Sequence, residues 1–405
     1  AWLVRMARRG GLSARLWERV GAYGREAEFE KTGGIYIHAV SVGEMVMALK
    51  LVETWREKNP DLHFILSATT STGYDLATTR AGKNTRVIYS PLDVPILIRR
   101  MLERFEPALV VLVDSELWPN LLNGCHRLGV PLALVNARLS PRSERRHRRF
   151  NSITRPFLGM LDFLGAQAPE HAGTWEKLGV AGEAISVTGS VKFDAGGQAL
   201  PVCRPEFSEI LEAFGSGRPV VLLASSHAGE EAWVAEALAG IPDVLLVVVP
   251  RHAERREEVA ADLRAIGREG VLKTRFAPPR DPGKAVLVAD TTGELRDWTA
   301  HADVVVVGKS ILGRGGQNPT EAIAAGKPVL TGPHMGNFEP LVTQLREADA
   351  LGVVENKDDM AREVSRLLGD PDRVHSMTDS ARKVLGEHVG ACQRTVEALA
   401  RVLER

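Results

Sequence analysis

Short apolar runs alternate with longer helical patterns along most of the chain. In the first half, six runs of strand length carry apolar residues at successive positions, which is typical of parallel strands buried between helices. In chain order they read GIYIHAV, HFILSAT, TRVIYS, ALVVLVDS, PLALVN and FLGAQ. Helical patterns such as Glu44 to Lys58 and Ile96 to Phe105 separate them. The alternation predicts βαβ units and a doubly wound α/β sheet.

A second alternation begins after a break in the pattern. Residues 191–207, VKFDAGGQALPVCRPEF, are rich in Gly, Pro and polar residues and are typical of a linker. Six further strand-like runs follow, namely PVVLLASS, DVLLVVVP, VLKTRF, AVLVAD, DVVVVG and PVLTG. From Asp358 onward the pattern is helical.

These patterns predict two Rossmann-like domains. We expect an N-terminal domain over 1–192, a linker over 193–207 and a C-terminal domain over 208–405 that includes the terminal helices. The ligand site is expected in the cleft where the two domains face each other.

Composition narrows the class of protein. A chain of 405 residues is natural for two domains. Its 51 basic and 51 acidic residues cancel, so no overall field favours nucleic acid and any electrostatic function is local. Cys125, Cys203 and Cys392 are widely separated, which excludes a CxxC metal motif and argues against a disulfide framework. No run reaches the ~18 apolar residues of a membrane span.

The N-terminal segment, residues 1–20, mixes basic and apolar residues. Its arginines are Arg5, Arg8, Arg9, Arg15 and Arg19, and Trp and Leu residues stand between them. This pattern is compatible with a helix in a membrane interface and equally with a helix packed on the domain with its charges in water. The chain starts at Ala1 rather than at Met, so a preceding anchor is also compatible with the sequence.

Several familiar signatures are incomplete. Gly308-Lys309-Ser310 resembles the end of a P-loop, but the glycine required five residues before Gly308 is Asp303. No GxGxxG follows the first strand, and HExxH is absent. Asp370-Pro371-Asp372 resembles a paired-Asp metal motif, yet it stands between two helical segments, where Asp and Pro commonly start a helix. We expect neither a metal nor another cofactor.

Polar and glycine-containing loops follow eight of the predicted strands, at the edge where open α/β sheets bind ligands. They are SVGE (41–44), TTSTG (69–73), ELWPN (116–120), NARLS (136–140), SSHAGEE (225–231), PRHAER (250–255), DTTGEL (290–295) and GRGGQNPTEA (313–322). Glu44 has two interpretations. It interacts favourably with the dipole of the helix that it begins, or it acts as a general base.

The loop GRGGQNPTEA also has two interpretations. Backbone N–H groups at the start of the following helix suit a phosphate, Glu321 could accept hydrogen bonds from ribose hydroxyls, and Arg251 would add positive charge. Alternatively, Asn318, Pro319 and Glu321 form a good helix-capping sequence. The two are compatible, and capping alone leaves the glycines at 313, 315 and 316 unexplained.

The basic run PRSERRHRR (141–149) contains five arginines and directly follows the NARLS loop. A charge run of this kind usually forms a solvated face. Its position after a strand-end loop also fits the rim of the cleft, where it would contact a phosphate on an acceptor.

Taken together, these loops resemble the Kdo transferases, which transfer 3-deoxy-D-manno-oct-2-ulosonic acid (Kdo) from CMP-Kdo to a lipid A precursor in lipopolysaccharide synthesis. The resemblance runs from about Gly33 to Asn356. It is carried by HAVSVGE (38–44), PLD (91–93), ELWPN, NARLS, TGSVKFD (188–194), PRHAER, GEL (293–295) and GGQNPTEA (315–322). It implies a GT-B fold and an inverting transfer without a metal. Because the implied acceptor is a lipid, we expect a location at the cytoplasmic face of the bacterial inner membrane, with the basic N-terminal segment at the membrane surface.

The resemblance also implies residue roles. Glu44 matches the catalytic base, and Glu116 matches a second acidic residue on the acceptor side. The resemblance implies donor binding by Arg251, Gly293, Glu294, Leu295, Asn318 and Glu321, and we predict that His252, Lys309, Gly315 and Gly316 belong to the same donor site. The acceptor side would use Ser41, Gly43, Thr70, Asn136 and Arg138. The chain departs from the family pattern at Lys309 and Gln317, where Gly and His are usual, and Lys309 could contact the carboxylate or phosphate of the donor.

Two other functions are compatible with a pair of Rossmann-like domains. One is a nucleotide-sugar isomerase of the non-hydrolysing epimerase type, which uses no lipid acceptor. The other is an inactive binding protein that keeps the fold, although the presence of Glu44 and Glu321 argues against it.

Overall fold

The computed structural model describes residues 15–24, 26–114, 117–139, 141–194 and 201–404. The chain divides into two compact units. The first unit comprises Ala1–Gly196 together with His388–Arg405, and the second comprises Gly197–Glu387. Each unit is built on a parallel sheet of seven strands flanked by helices, so the predicted α/β architecture of two doubly wound sheets is confirmed.

The first sheet has the order β3-β2-β1-β4-β5-β6-β7. Its strands are β1 (Ile35–Ala39), β2 (Phe64–Ala68), β3 (Thr85–Tyr89), β4 (Leu109–Val113), β5 (Leu132–Ala137), β6 (Phe163–Ala166) and β7 (Ile185–Val187). The strand order reverses between β1 and β4, which pair in parallel with His38 beside Leu112. Ligands of open α/β sheets bind at the carboxyl ends of the strands at such a switch point.

Helices that precede the second unit in the chain connect and cover these strands. They are α1 (Val42–Lys58), α2 (Ser71–Arg80), α3 (Pro95–Phe105), α4 (Pro119–Leu128), α5 (Pro141–Arg149), α6 (Asn151–Leu158) and α7 (Pro169–Leu178). The central strands β1, β2, β4 and β5 are buried along their whole length, because helices pack on both faces of the sheet. This is why they carry consecutive apolar residues rather than an alternating pattern.

The second sheet has the order β10-β11-β9-β8-β12-β13-β14. Its strands are β8 (Val220–Ser226), β9 (Leu245–Pro250), β10 (Glu269–Leu272), β11 (Ala285–Val288), β12 (Val304–Val307), β13 (Val329–Thr331) and β14 (Gly352–Val353). The helices of this unit are α8 (Pro205–Glu212), α9 (Glu230–Ala237), α10 (Arg256–Ala265), α11 (Leu295–Ala300), α12 (Thr320–Ala324), α13 (Glu339–Glu347), α14 (Lys357–Gly369) and α15 (Pro371–Gly386). Here the switch point lies between β8 and β12.

The structure differs from the predicted strands in three places. β7 and β14 were not predicted, because they have only three and two residues and are not fully buried. The run VLKTRF was predicted as a strand, but β10 ends at Leu272 and Lys273–Arg275 forms a 3-10 helix. The apolar signal of two residues, Val271 and Leu272, is too short to fix where such a strand ends.

The last helix, α16 (Ala391–Leu403), belongs to the first unit, whereas the sequence interpretation placed all terminal helices in the second domain. Its apolar face joins the core formed around α1 and β1, and Thr54 of α1 contacts Cys392 at 3.2 Å between Oγ1 and Sγ. Asp194 holds the start of this segment, since its carboxylate accepts hydrogen bonds from the N–H groups of Gly390 (3.0 Å) and Cys392 (2.8 Å). The predicted extent of the C-terminal domain, 208–405, is corrected accordingly.

The N-terminal segment is described only from residue 15, where a 3-10 helix covers Leu16–Val20. Arg19 does not face solvent as the membrane interpretation requires. It is buried, donates to the carbonyl of Thr69 at 2.7 Å and lies over the ring of Tyr89. Trp17, by contrast, is 71% exposed. No helix in the described ranges is long and apolar enough to cross a membrane.

Candidate active site

Glu44 lies in the first turn of α1, directly after β1, and its carboxylate closes the start of that helix. Oε2 accepts a hydrogen bond from the N–H of Val40 at 2.7 Å, and Oε1 accepts one from the hydroxyl of Ser41 at 2.7 Å. Ser41 in turn accepts the N–H of Glu44 at 3.3 Å. The helix-start interpretation of Glu44 is therefore realised, and it fixes the position of the carboxylate beside an exposed turn formed by Ser41, Val42 and Gly43.

The environment of Glu44 strengthens it as a base. Burial raises the pKa of Glu44, and the negative charge of Asp114 adds to this rise, whereas the hydrogen bonds from Val40 and Ser41 oppose it. The net direction is upward. An ionised carboxylate with a raised pKa accepts a proton more readily, so the same residue that caps α1 is suited to general-base chemistry.

Asp114, which the sequence interpretation did not select, stands at the other side of the switch point. It follows β4 with a left-handed backbone (φ 68°), and its carboxylate lies 3.6 Å from Nε of Arg138. Burial raises the pKa of Asp114, although Arg138, Lys192 and a hydrogen bond from Asn136 act against the rise. Residues other than glycine are uncommon in this backbone region, where aspartate is among the better tolerated, and such positions cluster at functional sites.

The residues predicted for the acceptor side have different surroundings. Ser41 and Gly43 are exposed. Thr70 caps α2 by accepting the N–H of Gly73 at 3.2 Å, and Arg138 pairs with Asp114. Asn136 is buried, and its Oδ1 accepts hydrogen bonds from Ser190 and from the N–H of Val191 at 3.0 Å. The amide oxygen of Asn136 thus holds the TGSVKFD segment against β5.

Glu116, the second predicted acidic residue, lies outside the described residues. The loop after it is tied to the PLD motif, which the sequence interpretation left without a role. Asp93 accepts the N–H groups of Asn120 (3.2 Å) and Leu121 (3.0 Å), so it caps α4 from a neighbouring loop. Asp93 of the PLD motif thus holds in place the start of α4, where the ELWPN motif ends.

His38, in the HAVSVGE motif, does not compete with Glu44 as a base. It is buried within β1, its Nδ1 lies 3.1 Å from Oγ of Ser67, and its ring contacts Trp118 edge-on. Burial lowers the pKa of His38 to about 4. The imidazole is thus neutral and packs beneath the strand end.

The second unit contains a polar cavity of about 520 Å³ at the carboxyl ends of its strands. This volume falls within the roughly 300–1,000 Å³ of small-ligand sites. Four predicted donor-binding residues line it together, namely Arg251 after β9, Gly293 and Leu295 after β11, and Glu321 in α12. The arrangement places a guanidinium group and a carboxylate around one space of ligand size.

Other residues of the same cavity had no predicted role. Ser225, Thr291 and Thr292 lie in two of the predicted strand-end loops, SSHAGEE and DTTGEL, whereas Arg296 lies outside those loops and was missed. Ser225 is the penultimate residue of β8 and has a left-handed backbone (φ 56°), which marks a special backbone position. Arg296 gave no sequence signal because it is an exposed arginine near a helix start, a common kind of surface position.

Glu294 does not line the cavity but fixes its wall. Nζ of Lys273 donates to both carboxylate oxygens of Glu294 at 2.7 Å, and the hydroxyl of Thr291 donates to it as well. Burial alone would raise the pKa of Glu294, but these partners outweigh it and hold the pKa below the ordinary value. Glu294 therefore anchors the turn that carries Gly293 and Leu295.

In the glycine-rich loop, the N–H groups of Gly315 and Gly316 have acceptors within the second unit. The N–H of Gly315 donates to the carbonyl of His334 at 3.0 Å, and the N–H of Gly316 donates to the carbonyl of Lys309 at 3.1 Å. These groups are engaged within the protein rather than free for a phosphate. Both glycines have left-handed backbones, and a Cβ would lie 2.6 Å from Asn337 or 2.2 Å from Met335. Close packing of the 335–337 loop is why glycine stands at these positions.

Three further predicted donor residues do not line the cavity. The side chain of Asn318 accepts the N–H and hydroxyl of Thr320 at the start of α12, so it acts as a cap. Lys309 has a left-handed backbone, and its N–H donates to the buried carboxylate of Glu230 at 2.7 Å. His252 is exposed beside Arg251.

The described residues contain no cluster of three or more His, Cys, Asp or Glu side chains arranged to hold a metal ion. Asp370, of the paired-Asp sequence, caps α15 by accepting the N–H of Arg373 at 2.9 Å, as its interpretation as a helix start predicts. The chemistry available is a base with a raised pKa in the first unit and a cationic, hydroxyl-lined cavity in the second.

Comparison with known proteins identifies relatives over nearly the whole chain. A family model described as "3-Deoxy-D-manno-octulosonic-acid transferase (kdotransferase)" matches residues 14–195. A 3-deoxy-D-manno-octulosonic acid transferase of Bordetella pertussis is 36% identical, with 98% of this chain and 94% of the relative aligned. The Haemophilus influenzae protein of the same name is 31% identical over 96% of this chain and 92% of its own.

Solved structures with similar folds include transferases and epimerases. A glycosyltransferase from Rickettsia africae has a TM-score of 0.58 at 13% identity, covering 93% of this chain and all of its own. A UDP-GlcNAc 2-epimerase from Neisseria meningitidis, bound to UDP-GlcNAc, also has a TM-score of 0.58 at 13% identity, covering 91% of this chain and 100% of its own. At this identity the likeness shows the fold alone, which is of the GT-B type. It lends no weight to the isomerase alternative, since the relatives at 31–36% identity are transferases.

Proposed function

The chain belongs to the family of 3-deoxy-D-manno-octulosonic acid transferases, and from this premise we propose that it transfers Kdo from CMP-Kdo to a lipid A precursor in lipopolysaccharide synthesis. As a glycosyltransferase it uses a nucleotide-sugar donor and a glycan acceptor. The identity of both substrates, inversion at the sugar and independence from metal are parts of the proposal.

The meeting of Arg251, Gly293, Leu295 and Glu321 in one cavity is the observation that carries the donor assignment. CMP-Kdo has a cytidine, a ribose with two hydroxyls and a phosphodiester. We assign the ribose hydroxyls to Glu321, because a carboxylate is a strong acceptor of hydroxyl hydrogen bonds. Arg251 is assigned to the phosphate, where a fixed positive charge stabilises the departing CMP.

The proposed chemical step uses Glu44 as the general base. Its ionised carboxylate takes the proton of an acceptor hydroxyl while the hydroxyl oxygen forms a bond to C2 of Kdo. The bond between C2 and the phosphate oxygen breaks, and CMP leaves with that electron pair. Attack from the face opposite the leaving group inverts the configuration. The charge that develops on CMP is stabilised by Arg251, so no metal is required for this step.

The acceptor would approach the exposed turn of Ser41, Val42 and Gly43, where small side chains leave space next to Glu44. Arg138, beside Asp114, supplies a cation on this side. Glu116, Thr70 and Asn136 keep the roles that the family resemblance implies as predictions. In this proposal Asn136 acts by holding the 190–191 backbone, since its amide oxygen is engaged there.

Incubation with CMP-Kdo and a bisphosphorylated lipid A precursor, read by mass spectrometry, tests the proposal. The expected product is the precursor increased by one or more Kdo residues, with release of CMP in equal amount. Activity should persist after treatment with a chelator. An altered nucleotide sugar formed without acceptor would instead support the isomerase, and unchanged donor would support a binding protein.

We further propose that the enzyme meets its acceptor at the cytoplasmic face of the bacterial inner membrane through its N-terminal basic segment. Exposed Trp17 and Arg15 at the described end of that segment support this placement, whereas buried Arg19 does not contribute. Each basic residue near an anionic surface contributes about 1 kcal/mol, and the attraction is screened by salt.

Binding to anionic liposomes tests this placement. Removal of residues 1–14 leaves Glu18 and Arg19, which bond to the first unit, in place. The shortened protein should lose salt-sensitive liposome binding but keep transfer to a detergent-dispersed acceptor. Equal binding by both forms would contradict the proposal and direct attention to the exposed arginines of α5.

A further inference from the structure

The cavity of the second unit contains one cation more than the proposed nucleotide contacts use. Arg251 and Arg296 are the cationic side chains that line it among the described residues, and Glu321 is the acidic one. With Glu321 on the ribose and Arg251 on the phosphate, Arg296 has no assigned partner. A second guanidinium in a ligand cavity points to a second anionic group on the ligand.

The immediate contacts of Arg296 leave its guanidinium available. Its Nε lies 3.9 Å from Oδ1 of Asp297, which is too far for a hydrogen bond. Asp297 is already engaged by Nε of Arg204 at 2.7 Å and by the N–H of Val202 at 3.3 Å. The Arg296 side chain is 46% exposed, so it can reach a ligand without breaking a buried interaction.

The backbone of Arg296 is held in place, although its side chain is exposed. It is the second residue of α11, directly after the turn that Glu294 anchors through Lys273 and Thr291. Lys309, a departure from the family pattern that was predicted to contact the carboxylate or phosphate of the donor, does not line this cavity. Among the described residues that line the cavity, Arg296 is thus the cation that remains without a proposed ligand group.

We propose that Arg296 binds the carboxylate of a nucleotide-linked ulosonic acid and so distinguishes this donor class from nucleotide sugars without that group. The inference rests on the proposed function, because the donor must enter this cavity. It assigns the two arginines to two different anions. Arg251 contacts the phosphodiester, and Arg296 contacts the sugar carboxylate.

The comparison of CMP with CMP-Kdo separates these assignments. CMP has a phosphate monoester with a charge of about −1.5 to −2 near neutral pH and no carboxylate. CMP-Kdo has one negative charge on the diester and one on the sugar. Loss of a cation that binds the phosphate must therefore weaken CMP binding at least as much as CMP-Kdo binding. Loss of a cation that binds the carboxylate should weaken CMP-Kdo binding alone.

The experiment measures equilibrium binding of CMP and CMP-Kdo to the full-length protein and to Arg296→Gln, Arg251→Gln and Arg264→Gln. Arg264 is an exposed arginine of α10 outside the cavity and serves as the matched control. Arg296→Gln should weaken CMP-Kdo binding about tenfold or more, the fold-change typical for a lost hydrogen bond to a charged group, and change CMP binding less than about twofold. Arg251→Gln should weaken both ligands, and Arg264→Gln neither.

Unchanged CMP binding by Arg296→Gln also reports that the cavity is folded. Equal weakening of CMP and CMP-Kdo would place Arg296 on the phosphate and overturn the inference, as would wild-type affinity for both. Because binding is measured without turnover, absence of a Kdo-containing product from the wild-type protein would overturn the proposed transfer function separately.

Discussion

The polar residues at the carboxyl ends of the strands are organised differently in the two units. In the first unit, Glu44 is bonded to the backbone and hydroxyl at its own helix start, and Asp114 pairs with Arg138. In the second unit, Arg251, Arg296 and Glu321 reach into the cavity, and Glu294 next to them anchors the wall. The first arrangement fixes one carboxylate and adjusts its pKa, whereas the second leaves charged groups open to a ligand.

This difference fits the proposed base in the first unit and the proposed nucleotide site in the second. A base must be held in position and must have a suitable pKa, so its partners belong to the protein. A nucleotide site must exchange its ligand, so its charged groups are exposed until the ligand binds. Substitutions in the first unit should therefore change the rate of transfer, and substitutions in the cavity should change the affinity for CMP.

Replacement of the proposed base, Glu44, should have the largest effect. Glu44→Gln keeps the size of the side chain and one hydrogen-bond acceptor but cannot take a proton, so kcat should fall by ~10²–10⁴-fold. CMP affinity should remain at the wild-type value, because the cavity lies in the other unit. Kinetics of Kdo transfer and calorimetry with CMP check the two parts.

Glu57→Gln is the matched control for this experiment, since Glu57 is an exposed glutamate on the same helix. Near-wild-type turnover by Glu44→Gln would remove Glu44 from the mechanism. Loss of CMP binding in that variant would contradict the separation of the two units into base and nucleotide site.

Substitution of the cavity carboxylate should have the next largest effect. Glu321→Ala removes the proposed acceptor for the ribose hydroxyls and should weaken CMP binding by roughly 1–3 kcal/mol. The fold should survive, because α12 has five residues and Asn318 still caps it. Calorimetry with CMP measures the loss, and Glu347→Ala, at an exposed position on α13, should bind like wild type. Wild-type CMP affinity in Glu321→Ala would place the ribose elsewhere.

The sequence predicted well those features that depend on local patterns. The central strands were found because burial on both faces requires consecutive apolar residues, as in Leu109–Val113. Arg251, Gly293, Leu295 and Glu321 were selected from loops after strands, and a parallel sheet brings such loops to one edge.

Features that depend on distant parts of the chain could not be predicted in this way. Gly315 and Gly316 were predicted as donor-binding residues, and nothing local shows that their N–H groups donate to the carbonyls of His334 and Lys309. The last helix was placed in the wrong domain because its docking relies on Asp194, about 200 residues earlier in the chain. Arg296 was missed because an exposed arginine has no pattern that separates a ligand contact from a solvated side chain.

The packing of the last helix, α16, in the first unit leads to a prediction whose expected effect is intermediate in size. Asp194→Ala leaves the N–H groups of Gly390 and Cys392 without their acceptor, and the free energy of unfolding should fall by about 2 kcal/mol. Denaturant unfolding followed by circular dichroism measures this. Glu397→Ala, which removes an exposed ion pair between Lys58 of α1 and Glu397 of α16, should change the free energy of unfolding little. An equal effect of both variants would contradict the role of Asp194 in docking α16.

The smallest expected effect is a shift in the pH dependence of transfer. Glu44 must be ionised to act, so activity is lost as pH falls through its raised pKa, and the acidic limb of kcat/KM should lie above the range of an ordinary glutamate, about 4.3. Asp114→Asn removes a negative charge that raises the pKa of Glu44, so the limb should move to lower pH. Ser41→Ala removes a hydrogen bond that stabilises the ionised carboxylate, so the limb should move to higher pH.

Asp61→Asn, at an exposed loop position in the first unit, is the control and should leave the acidic limb in place. Shifts of the same sign in Asp114→Asn and Ser41→Ala would show that the limb reports a group other than Glu44, because the two substitutions act on that carboxylate in opposite directions.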